Sequence, residues 1–159
     1  MMKKYLATLI LTGATMTAQA QTVDTPVLTT DTALKLVGEG LAQCAKDGYR
    51  VSVAVVDRAG GLKAFARHEQ AGPHTVESAR KKAFTSASMG VVTADLANNI
   101  ADKPALFGLR EMHPDMLILG GGMPIKVADQ LVGGIGIGGA PGGHLDQACA
   151  EAALAAVLK

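Results

Sequence analysis

The sequence predicts an α/β domain in which helices cover a mainly antiparallel sheet. Residues 51–67 alternate large and small side chains on either side of Asp57-Arg58-Ala59-Gly60-Gly61, which is the pattern of a hairpin. Residues 123–138 repeat that arrangement around Asp129-Gln130. Residues 31–47 and 75–90 change to helical spacing. Hairpins join antiparallel neighbours, whereas parallel strands need long crossovers, so the helices are left to pack on the sheet.

The first twenty residues are expected to lie outside that fold. Lys3 and Lys4 form a positive start, Leu6 to Leu11 an apolar stretch, and Ala18-Gln19-Ala20 a small-residue cleavage site. The apolar stretch is too short to span a bilayer core of about 30 Å. This is the pattern of a secretory signal over residues 1–20, with residues 21–159 as one domain and a periplasmic or secreted location. Cleavage removes two of the 15 basic residues and none of the 14 acidic ones, which leaves a net charge of −1. A nearly neutral chain gives no electrostatic reason to expect nucleic acid or an anionic membrane as a partner. Aromatic residues make up 3% of the chain and Trp is absent, so the core must be built from Val, Leu, Ile, Ala and Met.

Residues 21–28 form an extended lead-in. Thr29-Thr30-Asp31 supplies helix caps, and Leu34, Val37, Leu41 and Cys44 follow on one face up to Gly48. The first hairpin and the helix at 75–90 come next. Thr93 and Asp95 start a short helix reaching Ala101, and Pro104 opens a further helical turn before His113-Pro114. Met116 to Leu119 is an apolar run expected as a strand, ended by Gly120-Gly121-Gly122. Strands at 123–128 and 131–138 make five in all, and a last helix runs from about Leu145 to Leu158 with Cys149, Leu145, Ala152 and Ala156 on one face.

Several chemistries lack their residues. Gly134-Ile-Gly136-Ile-Gly138-Gly139 matches a dinucleotide fingerprint by letter, but a single helix fills the remaining chain, which leaves no room for the strand and acidic residue that fold requires. The glycines are therefore expected to serve close backbone approach. No Gly-x-Ser-x-Gly or His-Glu-x-x-His is present. No nucleophile–base–orienter set can be assembled from the chain either. The two cysteines lie on helix faces, and an even count in an exported chain favours pairing. Two buried free thiols remain the alternative.

Segment VVDRAGGLKAFAR resembles the V-V-D-x-x-G-x-L-x-x-x-x-R opening of the GlcG/HbpS family of haem-binding proteins, also called haem-degrading domains. AGPHTVESARKKAFTSAS is similar to that family's A-x-x-K-A-x-T-A helix, through Ala79, Lys82, Ala83 and Thr85, with Ser86 in the last place. GGGMPIKVADQLVGGIGIGGAPGGHLDQACAEAAL resembles its G-G-x-P-I, V-x-G-x-I-G-x-x-G and D-x-x-x-A endings. Glu69-Gln70-Ala71 replaces the usual Asp-Gly-Ala, and His144 stands where an acidic residue is common. The resemblance covers nearly the whole chain after residue 20, with the motifs in family order. It implies a profilin-like three-layer α/β/α fold with a five-stranded mainly antiparallel sheet, a homo-oligomer, and haem or another small planar ligand. Relatedness to the C-terminal domain of PduO-type adenosyltransferases makes a corrinoid the alternative cofactor. In a profilin-like fold the terminal helices are neighbours, so a Cys44–Cys149 bridge is expected.

Under that resemblance the candidate cofactor-binding residues are His74, His68, Arg67, Lys82 and Thr85, with His74 as the iron ligand. His74 stands at the entry to a helix, and neutral imidazole is a common axial ligand of haem iron. His68 is a second candidate on the preceding loop. Arg67, Arg80, Lys81 and Lys82 can pair with propionates through charge-assisted bonds, with a solvated helix face as the competing reading of Arg80 and Lys81. His113 and His144 are expected on the surface, and Met89, Met112, Met116 and Met123 in packing roles. Two other readings compete with a haem-binding protein. One is an enzyme acting on a small oxyacid or aromatic catabolite with His74 or Lys82 as base; the other is an accessory subunit without a ligand.

Overall fold

The computed structural model describes residues 21–158. The expected signal segment lies outside the described residues. Helix α1 spans Thr30–Lys46, strands β1 and β2 span Ser52–Asp57 and Leu62–Arg67, and helix α2 spans Thr75–Met89. Helix α3 (Thr93–Ala101) leads to a 3-10 segment at Pro104–Arg110, then strands β3 (Gly122–Val127) and β4 (Gln130–Gly138), and helix α4 (Gly143–Val157). The sheet order is β2-β1-β4-β3, antiparallel at every pairing.

Local chemistry sets the boundaries. The Thr29 hydroxyl accepts the Thr32 amide and caps α1. Asp57 folds the first hairpin turn by accepting the amides of Ala59 and Gly61, each at 2.9 Å. The second hairpin turns at Ala128 and Asp129, whose φ angles of 47° and 62° fit a two-residue primed turn. That places the turn one residue earlier than the Asp129-Gln130 of the sequence pattern. Gly90 ends α2 in the left-handed region.

The sheet is covered on both faces, which gives the expected three layers. Val53, Val55, Ile125, Ile135 and Ile137 face α1 and α4 in one cluster. Ala54 and Val56 face the small residues Ala79, Ala83 and Ala87 of α2 in another. A stripe of glycine on β4 brings α2 close. A Cβ on Gly134 would sit 2.4 Å from the Ala83 carbonyl oxygen, and one on Gly136 only 2.1 Å from that of Ala79. The glycine-rich run is therefore a seat for a helix. Among the described residues no helix is long and apolar enough to cross a membrane.

The sheet has four strands, not the expected five. Met116 to Leu119 runs as a loop, although it is apolar and its burial alternates. Met116 and Ile118 pack against Leu96 and Ile100 of α3. The backbone bonds side chains instead of a neighbouring strand: the Leu117 amide donates to Thr85 Oγ1 at 2.7 Å, and the Leu119 carbonyl accepts from Thr93 Oγ1 at 2.7 Å. An apolar run becomes a strand only when a ladder partner takes its backbone, and here hydroxyls serve instead.

The helical layer carries a Cys44–Cys149 disulfide with Cα atoms 5.3 Å apart, inside the usual bridging range. The buried faces of its helices differ from the expected ones. Leu34 is 59% exposed, while Ala33, Leu36 and Gly40 are buried beside Val37 and Cys44. On α4 the buried residues are Asp146, Cys149, Ala150 and Ala153, and Ala156 is exposed.

Candidate functional site

The end of the sheet where β2 finishes and α2 begins gathers most of the candidate side chains. Arg67 ends β2 opposite Ser52 of β1. The His68 amide then donates to the Val51 carbonyl at 3.0 Å, so the chain leaves the sheet still tied to β1. Gly72-Pro73 turns it toward α2, which starts with His74 in the N-cap position. Thr75 is buried and lies 2.7 Å, oxygen to oxygen, from the buried Ser52 hydroxyl. Thr75 and Arg67 are thus neighbours of one serine at the end of a central strand, and His74 is the residue before Thr75. Arg50, which the sequence patterns did not single out, donates to Gln70 Oε1 across the same junction at 3.2 Å. It precedes a strand outside any motif, so only the folded chain reveals it.

Hydrogen bonding divides the histidines. His68 Nδ1 accepts the Gln70 amide at 3.1 Å, and His113 Nδ1 accepts the Asp115 amide at 3.1 Å. A neutral ring whose Nδ1 accepts carries its proton on Nε2, so neither nitrogen offers iron a lone pair without breaking that bond. His113 also stacks on Phe84, with ring centroids 4.8 Å apart. His74 is exposed, makes no capping bond, and has no partner on either ring nitrogen among the described residues. Its ring folds back over Gly72, where a Cβ would meet Cε1 at 2.6 Å. His144 lies over Gly142 in a similar way, with the corresponding distance 2.7 Å. It starts α4, on the face of the sheet opposite α2.

Lys82 and Thr85 lie further along α2 and point inward. The Lys82 ammonium donates to Asp146 Oδ2 at 2.8 Å and to the Ile137 carbonyl at 2.9 Å, with the residue only 1% exposed. Asp146 Oδ1 accepts the Ala140 amide at 3.0 Å. Burial pushes the Asp146 carboxyl above its ordinary pKa, against the pull of Lys82. Glycines close over the pair: a Cβ on Gly121 would fall 2.7 Å from Asp146 Cβ and 3.0 Å from Lys82 Nζ. Thr85 donates to the Lys81 carbonyl and accepts the Leu117 amide, so its hydroxyl is engaged on both sides. The fold therefore brings His74, His68 and Arg67 together and sets Lys82 and Thr85 apart from them, inside the domain.

Arg80 is more than a solvated face residue. Its guanidinium bonds Glu77 at 2.8 Å and Asp115 at 2.6 Å, which lowers the pKa of both carboxyls. Surface clefts of about 80 to 410 Å³ occur elsewhere, and none of these five is lined by His74, His68 or Arg67. Among the described residues no group of three or more His, Cys, Asp or Glu side chains could hold a metal ion. At this junction a single exposed imidazole beside cationic side chains can supply one ligand to an iron already held in a macrocycle, and cations to its carboxylates.

The chain resembles known proteins along most of its length. A family model described as haem degrading protein, HbpS-like, matches residues 28–155. A crystal structure of HbpS shares 37% identity, covering 91% of this chain and 100% of its own at a TM-score of 0.82. A double mutant of HbpS from Streptomyces reticuli shares 36%, covering 93% and 99%, also at 0.82. A PduOC:heme complex shares 26%, covering 84% and 100%, at 0.76. No curated protein sequence matches. With the family model spanning most of the chain and HbpS alike in sequence and fold, this chain belongs to the HbpS-like haem-degrading family.

Proposed function

We propose that the protein is an exported haem-binding protein, in which His74 supplies an axial ligand to the haem iron and Arg67 faces the propionates. The observation that carries this reading is the state of the His74 ring: exposed at the start of α2, with no hydrogen bond on either nitrogen. The His68 ring is engaged by the Gln70 amide, a bond that ligation would break, and it serves as a neighbour of the bound group, beside Arg50 and Arg67. Lys82 and Thr85 act from inside, fixing α2 beneath the site. Family membership and the heme complex of the PduO relative support haem as the ligand. The corrinoid alternative draws no support from these relatives. The haem iron supplies redox chemistry and ligand exchange when bound, and the chain supplies an imidazole and cations.

Export is part of the proposal. It is supported by the signal pattern of residues 1–20 and by the disulfide, a bond that persists in oxidising compartments. A homo-oligomer also belongs to it. An open site on a single chain leaves one haem face for solvent or a second copy.

Hemin titration of the protein, followed in the visible spectrum, tests the reading. A shifted Soret band is expected, with affinity lowered about tenfold or more in His74→Ala, a change of about 1.4 kcal/mol or more. His68→Ala and His144→Ala should keep the wild-type band position. An unshifted band in the wild-type protein refutes haem binding. Loss of the band in His144→Ala alone refutes the choice of ligand.

A further inference from the structure

We propose that Ser52 and Thr75 are positioning residues that fix the His74 imidazole for ligation through a directional hydrogen-bond relay, an inference that rests on the His74 reading above. Thr75 Oγ1 lies 2.6 Å from the Gly72 carbonyl and 2.7 Å from Ser52 Oγ. A carbonyl can only accept, so the single hydroxyl proton of Thr75 goes to Gly72. Thr75 Oγ1 must then accept from Ser52, whose hydroxyl donates. The order Ser52 to Thr75 to Gly72 is thereby fixed, although the oxygen–oxygen distance between the first two allows either donor.

The relay connects a central strand of the sheet to the turn that bears His74. Ser52 is paired on both sides, with Arg67 of β2 and Gly138 of β4. Ser52 and Thr75 are both buried, which keeps water from competing for their bonds. The Gly72 carbonyl also accepts the Thr75 amide at 3.0 Å, so two donors from one residue clamp it. Between these clamped residues stand only Pro73, with its restricted φ, and His74. The His74 carbonyl is held in turn by the Ser78 amide at 3.1 Å.

Gly72 completes the arrangement. Its bare Cα gives the ring a place to lie, because a Cβ there would meet Cε1 at 2.6 Å and Nδ1 at 2.9 Å. The imidazole is thus set before any ligand arrives, and the ordering cost of binding is reduced. His68 is held differently: its ring accepts the Gln70 amide, on a loop that continues through the exposed Glu69 and Gln70.

Ring resonances of His74 in hemin-free protein, read by ¹H–¹⁵N spectroscopy, and hemin affinity test this together. Thr75→Val keeps the shape but deletes the relay. It should move the His74 signals toward those of a free histidine and weaken hemin binding about tenfold, the effect of one buried hydrogen bond. Thr75→Ser should retain wild-type signals, and Ser52→Ala should give a smaller change in the same direction. Gly72→Ala should displace the ring with little change in melting temperature, since only a side-chain end must move. Wild-type signals and affinity in folded Thr75→Val and Ser52→Ala overturn the proposal. If His74→Ala binds hemin as the wild type does, the ligation reading falls. The ring signals then decide alone: release in Thr75→Val upholds positioning, and no change overturns it.

Discussion

Lys82 reaches from α2 to the first turn of α4 and places its ammonium 2.8 Å from the Asp146 carboxylate, with both side chains almost fully buried. The pair joins the layers on opposite faces of the sheet. Breaking one half of such a pair strands a charge in the interior, at a typical cost of about 3–5 kcal/mol, whereas replacing both halves can be nearly neutral. Lys82→Met and Asp146→Asn are each expected to lose stability on that scale in urea unfolding. The double variant should recover most of the loss, because Asn still offers an oxygen to the Ala140 amide. Additive losses would show that the two groups do not act as a pair.

Acid should weaken the Arg80 cluster. Glu77 and Asp115 have pKa values lowered mainly by hydrogen bonds from Arg80. Stability from a lowered carboxyl is complete above its ordinary pKa and is lost as pH falls through the lowered one. The excess stability of the wild-type protein over Arg80→Gln should therefore shrink below about pH 4 and stay level above pH 6. Solvent and salt screen these partly exposed groups, so the effect is small and should diminish at high salt. Asp146 has the opposite sign. Its raised pKa favours the folded state most below the ordinary value, and that contribution is lost as pH rises through the raised one. A gap that widens in acid would contradict the assignment.

The Cys44–Cys149 bridge closes 105 residues of sequence. Loops of that length give large chain-entropy effects, and removing a native bridge typically costs about 2–5 kcal/mol. The Cys44→Ser/Cys149→Ser protein should melt at lower temperature and bind hemin with unchanged affinity, since both cysteines lie in the α1–α4 layer, away from α2. A changed Soret band in that variant would tie the bridge to ligand chemistry.

Two glycine substitutions should act in opposite directions. Gly136→Ala forces a Cβ to within 2.1 Å of the Ala79 carbonyl oxygen and 2.4 Å of the Ala83 amide nitrogen, so α2 must lift from the sheet. Overpacking of this kind costs about 1–3 kcal/mol or more. Gly38 is exposed inside α1 with nothing within 4 Å of a built Cβ, so Gly38→Ala should stabilise by about 0.4–1 kcal/mol. Melting curves of the two variants, moving apart, would confirm the contrast.

The hairpins, the helix positions and the cysteine pairing were legible because their signals are local or, for the bridge, supported by the family resemblance. Leu34 shows where size misleads. It is larger than Ala33 and Gly40, but α1 lies close to the sheet and needs small residues there: a Cβ on Gly40 would be 3.1 Å from Val53. Met116 to Leu119 shows the limit of apolar alternation, which reports burial and not the destination of backbone bonds. At the site, His74 stands out by its place before a helix. The partners of Lys82 and Thr75 do not, because Asp146 and Ser52 are 64 and 23 positions away and share no pattern with them.

The order β2-β1-β4-β3 makes the domain divisible. One hairpin comes from each half of the chain, and their central strands meet along β1 and β4. The link between the halves includes residues 101–114, most of them exposed. A protease cut there would sever the backbone but leave the β1–β4 ladder and the Cys44–Cys149 bond in place. The nicked protein should therefore run as one species under native conditions and as two fragments only after reduction and denaturation. The same geometry suits the chain to reassembly from two separately made pieces, each bringing its own hairpin and one of the two cysteine-bearing helices.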